Sequence, residues 1–365
     1  MSAKAKRFGL RVGILVAACA CALCAAIGVT GCASGVDAYK GAPSGMAAQY
    51  DGNFLSESDV AEQITRYRNT GGLSSDDSFK SYLLSEGMTV SDYRIIVINS
   101  MVLDKLIDAK AEALGVAATD AEAQSHLDSV KETVSMGDES VWTKTLESGG
   151  LTEEMLLAIY KTNLNQDAVC AKEVPTRDAT DDEVLTYLQN NLAGTTQKHI
   201  HQLYFKGSDA QSRADACYAE LQTAKSNGTL TTSYFEDYAK ANSDEENVQS
   251  TGGSVGWTGS GLNDEFIEAL EYMEVGDVST ALGVEDDEGL YIIYCDEDFT
   301  FPESSAMTSL DAVGAPDELM SIIKEYVALT AWSSDCSDYL ARLLAESKVT
   351  YYPIPDGAAY NIALS

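Results

Sequence analysis

Basic side chains are scarce: 24 Lys and Arg stand against 57 Asp and Glu over 365 residues, a formal net charge of -33. Nucleic-acid binders draw most of their affinity from cations set against phosphates, so DNA and RNA are excluded as expected partners. Histidine is scarcer still, with only His126, His199 and His201. Cys170, Cys217, Cys295 and Cys336 are far apart and form no C-x-x-C, so neither a zinc finger nor a thioredoxin-like redox motif is supported. His199 and His201 could meet one metal ion from a shared strand face, but no third ligand of matching spacing accompanies them, and no metal is expected. The cysteines carry no local signature of a thiol hydrolase. Gly252-Gly253-Ser254-Val255-Gly256-Trp257 lacks the Lys-Ser/Thr of a phosphate loop and reads as a tight turn. No cofactor is expected.

What is present is enough apolar material for a core. Hydrophobic residues make up 45% and charged residues 22%, which excludes wholesale disorder and allows two or three domains. Before residue 32 the charged side chains are Lys4, Lys6, Arg7 and Arg11, followed by an apolar run from Val12 to Val29 broken only by Gly13 and Gly28. This is a signal-peptide pattern. Val29-Thr30-Gly31-Cys32 resembles the bacterial lipobox, which implies cleavage before Cys32 and lipidation of that cysteine, with a plain signal or an uncleaved anchor as the alternatives. Removing residues 1–31 leaves 20 basic against 57 acidic residues, a net charge of -37. A body so acidic repels its own copies and favours cationic polypeptides.

Residues 32–49 show no apolar period and read as a lipidated flexible tether. Beyond Tyr50 the pattern is helical, with Ser/Thr-x-x-Asp/Glu starts at Ser56–Asp59, Thr89–Asp92, Thr119–Glu122 and Thr180–Glu183. Helices are expected over Ser91–Leu114, Ala121–Met136 and Thr152–Glu173, with a short one over Asp181–Leu192. The period then changes to alternation: His199, His201, Leu203 and Phe205 share one strand face, and Ile200, Gln202 and Tyr204 the other. Helices at Ala210–Ser226, Tyr234–Ala241 and Asp264–Tyr272 and a strand at Leu290–Cys295 complete a small α+β unit. After Pro316 a long or broken amphipathic helix returns, with Leu319, Ile323, Val327, Leu340 and Leu344 on its stripe. It needs a partner, and the first helical section is the one available.

The expected class is therefore α+β: a discontinuous all-helical domain, 50–194 and 301–365, with an α+β domain inserted at 195–300. In this layout Cys170 shares a body with Cys336, and Cys217 with Cys295, so these are the expected disulfide pairs in an exported chain.

Five blocks within the insertion resemble, in order and spacing, the parvulin-type peptidyl-prolyl isomerases. They are His201-Gln202-Leu203, the run Tyr234 to Ser243, Gly252 to Trp257, Leu262-Asn263-Asp264-Glu265-Phe266 with Val275-Gly276-Asp277-Val278-Ser279, and Gly289-Leu290-Tyr291-Ile292-Ile293. With the lipobox and the flanking helices, the whole is similar to PrsA-type foldase lipoproteins with a SurA-like helical chaperone body. The resemblance implies a membrane-anchored foldase on the outer face of the bacterial cytoplasmic membrane. Its implied activity is to isomerise Xaa-Pro bonds in unfolded or nascent secreted polypeptides and to hold those polypeptides as a chaperone.

Residue by residue, the resemblance implies that His201 is the first-strand histidine, with His199 a competing alignment. It sets Glu245, or alternatively Asp244, where parvulins carry cysteine or aspartate. Leu262 and Phe266 would wall the proline pocket. Tyr291 stands where the family has a second histidine; its hydroxyl could replace part of that network but not both ring nitrogens. Weakened activity, or a parvulin fold retained in an inactive holdase, is the expected consequence.

Overall fold

The hydroxyls at the expected helix starts accept amide hydrogens in the computed structural model, which describes residues 43–135, 138–258, 264–284 and 289–364. Ser56 caps through the amide of Asp59, and Thr89 and Thr180 form reciprocal capping boxes with Asp92 and Glu183. Thr119 does the same with Glu122. Each such cap satisfies amides that a first turn leaves unpaired, worth about 1 kcal/mol.

In chain order the elements are β1 (Met46–Tyr50), β2 (Asn53–Ser56), α1 (Glu57–Thr70), α2 (Asp76–Ser85), α3 (Val90–Leu114), α4 (Asp120–Ser135), α5 (Glu139–Gly149), α6 (Glu153–Glu173) and α7 (Asp181–Asn191). They continue as β3 (Thr196–Phe205), α8 (Ala210–Ser226), α9 (Thr232–Asn242), α10 (Val248–Thr251), β4 (Ser254–Trp257), α11 (Asp264–Glu271), β5 (Leu282–Gly283) and β6 (Leu290–Thr300). The last are α12 (Leu310–Val313), α13 (Asp317–Glu346) and β7 (Thr350–Tyr351). The chain divides into two units, one of Met1–Arg177 with Thr330–Ser365 and one of Asp178–Leu329.

The first unit is discontinuous, and its core shows why. Phe79 and Leu83 of α2 and Val97, Ile98 and Ile107 of α3 pack in one cluster with Cys336, Leu340 and Leu344 from the C-terminal half of α13. Trp332 donates its indole hydrogen to the carbonyl of Val174. The unit is not wholly helical: β2, β1 and β7 form a three-stranded antiparallel sheet that joins both ends of the unit. The turn between β1 and β2 holds Asp51 and Gly52 at φ 45° and 80°, the paired positive values of a type I′ hairpin. Arg94, buried on α3, donates to the carbonyls of Ala47 and Tyr352 and pairs with Glu57, which also accepts from Tyr360. A buried guanidinium is tolerable only when so fully paired.

The second unit is built on an antiparallel sheet of order β4-β3-β6-β5. On one face Leu203, Phe205, Ile292 and Tyr294 pack under α8 and α9 through Cys217, Leu221, Phe235 and Ala239. On the other face Ile200, Tyr291, Ile293 and Cys295 pack with Phe266 and Leu270 of α11. A further cluster joins Val184 and Leu188 of α7 to Phe301, Met307, Leu319 and Ile323, which is why α7 and the chain up to Leu329 group with this unit.

Among the described residues, Cys170, Cys217, Cys295 and Cys336 are free thiols. Cys170 and Cys336 share the first unit's core and interact through their side chains. The expected partners Cys217 and Cys295 lie on opposite faces of the sheet. That second pairing is thus corrected: a strand layer separates the two sulfurs.

Candidate functional site

Alternation along β3 decides which side chains meet. Directly opposed residues of antiparallel strands share a face, so the pairs Gln202–Ile293 and Tyr204–Tyr291 lie with α11, whereas His201–Tyr294 and Leu203–Ile292 lie under α8 and α9. Of the expected site residues, Tyr291 and Phe266 come together: their rings meet edge to face at 5.3 Å, and Tyr291 packs on Tyr204 at 4.9 Å. Phe266 is 4% and Tyr291 6% exposed. Leu262 lies outside the described residues.

Glu245 is drawn to the same face. Ser243 accepts the amide hydrogen of Tyr204, Tyr204 accepts that of Asp244, and Glu245 bonds its amide back to Ser243. These bonds lace the segment after α9 to β3. There the Gln202 side-chain amide donates to the Glu245 carboxylate at 3.2 Å. Asp244, the alternative position, is turned away: it takes both guanidinium nitrogens of Arg213 at 2.7 and 2.9 Å and the amide of Lys206. The Arg213 hydrogen bonds hold the Asp244 carboxyl below the usual range.

Two glycines make this face possible. A Cβ at Gly253, which has φ 78°, would sit 2.3 Å from the carbonyl oxygen of Gln202; one at Gly289 would sit 1.9 Å from the Tyr204 ring. No side chain fits either place.

His201, expected in the site, is 2% exposed and faces Phe235 and Tyr294 on the opposite side of the sheet. Gln202, one residue along, is the β3 side chain that shares a face with Tyr291, because a one-residue step in a strand changes face. The competing His199 shares the face of His201, with ring centroids 5.3 Å apart. Both histidines bond to Asp296: His199 Nδ1 at 2.6 Å and His201 Nε2 at 3.2 Å. The hydrogen bond to Asp296 raises the His199 pKa against the pull of burial. Burial pushes the Asp296 carboxyl up, but hydrogen bonds from both histidines outweigh it and hold it below the usual range.

Sequence reasoning thus missed Gln202, Tyr204 and Asp296 as members of polar or aromatic constellations. The period-2 reading of β3 already separated Gln202 and Tyr204 from the histidines. Asp296 carried no comparable signal.

On the α11 face the buried rings of Phe266, Tyr291 and Tyr204 lie on the same side of the sheet as the Gln202–Glu245 pair. A pyrrolidine ring stacks favourably on such rings, and the polar pair can exchange hydrogen bonds with a peptide group as it twists. No nucleophile–base pair is needed for that chemistry.

Residues 199–297 match the family model of the PPIC-type PPIase domain, and residues 4–169 that of the SurA-like N-terminal domain. The foldase protein PrsA of Clostridium perfringens strain 13 is 23% identical over 299 residues, covering 80% of this chain and 75% of that one. PrsA of C. perfringens strain ATCC 13124 is 24% identical over 253 residues, 67% of this chain and 64% of that one. The crystal structure of PrsA from Bacillus subtilis aligns over 83% of this chain and 92% of its own, at 17% identity and a TM-score of 0.37. The chain therefore carries a PPIC-type peptidyl-prolyl isomerase domain and a SurA-like N-terminal domain, and it is homologous to the PrsA foldase proteins.

Proposed function

We propose that this chain is an exported foldase that accelerates cis/trans isomerisation of Xaa-Pro bonds in unfolded secreted polypeptides, held by a lipid on Cys32 at the outer face of the cytoplasmic membrane. The observation that carries the reading is the convergence of Phe266, Tyr291 and Tyr204 beside Gln202 and Glu245 within a domain of the isomerase family.

The chemistry asked of the site is modest. The prolyl bond has a small cis/trans preference but rotates slowly, because conjugation gives the amide partial double-bond character. Phe266 and Tyr291 hold the ring of the proline while the preceding carbonyl turns. In the twisted state conjugation is lost, so the nitrogen becomes a better acceptor; the Gln202 amide, already positioned by Glu245, is the donor at hand. Binding the twisted amide better than either planar isomer is what lowers the barrier. Lys4, Lys6, Arg7, Arg11, the apolar run and Val29-Thr30-Gly31-Cys32 support the anchor. Among the described residues no helix is long and apolar enough to cross a membrane.

One observation favours a second reading, an inactive holdase. Gln202 and Tyr291, not histidines, stand on the α11 face of β3 and β6. A protease-coupled assay on Xaa-Pro tetrapeptides separates the two. Acceleration above the uncatalysed rate at micromolar protein, lost in Phe266→Ala, supports the enzyme; suppression of client aggregation with no acceleration supports the holdase. For the anchor, metabolic labelling with palmitate and its loss in Cys32→Ser is the test.

A further inference from the structure

Asp296 supplies what the sequence lacked, a third ligand for His199 and His201. We propose that these three side chains form a binding site for a borderline divalent cation of the zinc type, on the sheet face opposite the isomerase pocket. One donor atom from each lies within 4.8 Å of the others. Tetrahedral zinc with bonds of about 2.0–2.1 Å brings its donors to roughly 3.3 Å of one another, so the present spacing is within about 1.5 Å of a ligating one. Two imidazoles and one carboxylate leave a fourth position for water, and this donor set prefers zinc and its neighbours to calcium or magnesium.

The arrangement is built. In β3 and β6, His199 opposes Glu297 and Ile200 opposes Cys295, leaving Asp296 as the extra residue of a bulge; bulges of this kind re-aim a side chain. Here the re-aimed carboxylate reaches both histidines. A second irregularity, between Ile200 and His201 in the pairing with β4, flanks the same place. Outer partners are present too. Thr232 of α9 donates to Asp296 Oδ2 at 3.1 Å, and the Glu318 carboxylate of α13 lies 3.9 Å from His199 Nε2, the nitrogen left when Nδ1 takes the metal. A carboxylate behind a ligating imidazole fixes its orientation and raises its basicity.

His201 presents Nε2 to Asp296 at 3.2 Å, so Nε2 is the nitrogen that would take the metal. The side chains of His199 and Asp296 keep 13% and 10% of their exposure, which leaves a path for an ion. Four elements, β3, β6, α9 and α13, would then be tied at one point, so the ion is a structural staple of the second unit. The site stands apart from the isomerase reading, and failure of either assay leaves the other untouched.

The test is titration of the chelator-treated, purified chain with zinc chloride at pH 7.5 by calorimetry, with calcium chloride as control. One equivalent should bind with micromolar or tighter affinity, and the melting temperature should rise by about 5–10 °C at a hundredfold excess over Kd. His199→Gln should abolish the binding, and Glu318→Gln, at an exposed carboxylate, should weaken it about tenfold. Cobalt(II) added to the wild-type chain should give the visible absorption of a tetrahedral site, a readout that needs no variant. No stoichiometric zinc, no cobalt band, or binding unchanged in a folded His199→Gln chain would each overturn the proposal.

Discussion

The two faces of the β3–β6 pair differ in kind although they are one residue apart along the chain. The α11 face carries aromatic rings around a neutral amide and one carboxylate, with no imidazole. The α9 face carries both histidines of the strand, closed on Asp296 and buried against Phe235. The first is the face to which we assign the proline ring; the second is closed by its own hydrogen bonds. The resemblance names the histidine, whereas the strand register puts it on the face opposite Tyr291 and Phe266.

The largest test attacks the backbone that both faces share. Gly253→Ala puts a methyl group against the Gln202 carbonyl in a backbone conformation alanine resists, and should cost the second unit about 4 kcal/mol or more. Thermal or urea melts read this, and a loss under 1 kcal/mol would mean that β4 does not approach β3 as described. Next is Phe266→Ala, which empties the pocket wall and should cost about 3 kcal/mol by cavity formation. Isomerisation measured well below the melting point should fall to the uncatalysed rate.

A paired substitution then sets one face against the other. Gln202→Ala should lower kcat/KM about tenfold, the scale of one lost transition-state hydrogen bond, with under 1 kcal/mol of stability lost. His201→Gln should do the reverse: about 1–2 kcal/mol lost on melting and kcat/KM within about twofold of wild type. If kcat/KM instead follows His201, the pocket lies on the α9 face and the comparison is broken.

A smaller effect comes from Asp244, whose position beside Glu245 hides a different task. Its carboxyl is held below the usual range by Arg213, so its contribution is present above the unfolded value of about 3.9 and is lost as pH falls through the lower folded-state value. Wild type should exceed Asp244→Asn by about 1 kcal/mol near neutrality, as a partly exposed two-pronged pair does. That difference should shrink steadily in melts below about pH 4. A difference constant with pH would show that the pairing with Arg213 is not its origin.

Much of this was legible in the sequence. The hydroxyl-to-carboxylate starts at Thr89 and Thr180 formed capping boxes, because a cap depends on four consecutive residues and nothing distant. The expectation that the first section alone covers the helical stripe after Pro316 holds for Leu340 and Leu344 but not for Leu319, Ile323 and Val327, which pack with α7 and Phe301 in the second unit. The small sheet of the first unit was missed although Asp51-Gly52 is a strong hairpin signal; its strands are short, and β7 comes from the far end of the chain. Asp296 was not legible at all. Its role depends on a bulge that shifts the register of β6 against β3, a property of the pair of strands and not of either.

The cysteines provide the gentlest test, one that changes no residue. Burial pushes the Cys170 thiol up to about 12, with its contact to Cys336 adding to the shift, and burial pushes Cys295 up to about 11. All are therefore poor nucleophiles at neutral pH, and slow oxidation is selected by proximity more than by reactivity. Cys170 and Cys336 are side by side, one on α6 and one on α13, whereas the sheet lies between Cys217 and Cys295. Mild oxidation followed by a non-reduced digest should yield the Cys170–Cys336 peptide pair, with Cys217 and Cys295 recovered as free thiols and kcat/KM unchanged. A Cys217–Cys295 link formed in the folded chain would require both sulfurs on one side of β6. That would place Cys295 with Tyr294, not with Tyr291, and the two faces from which the pocket and the histidine cluster are drawn would have to be exchanged.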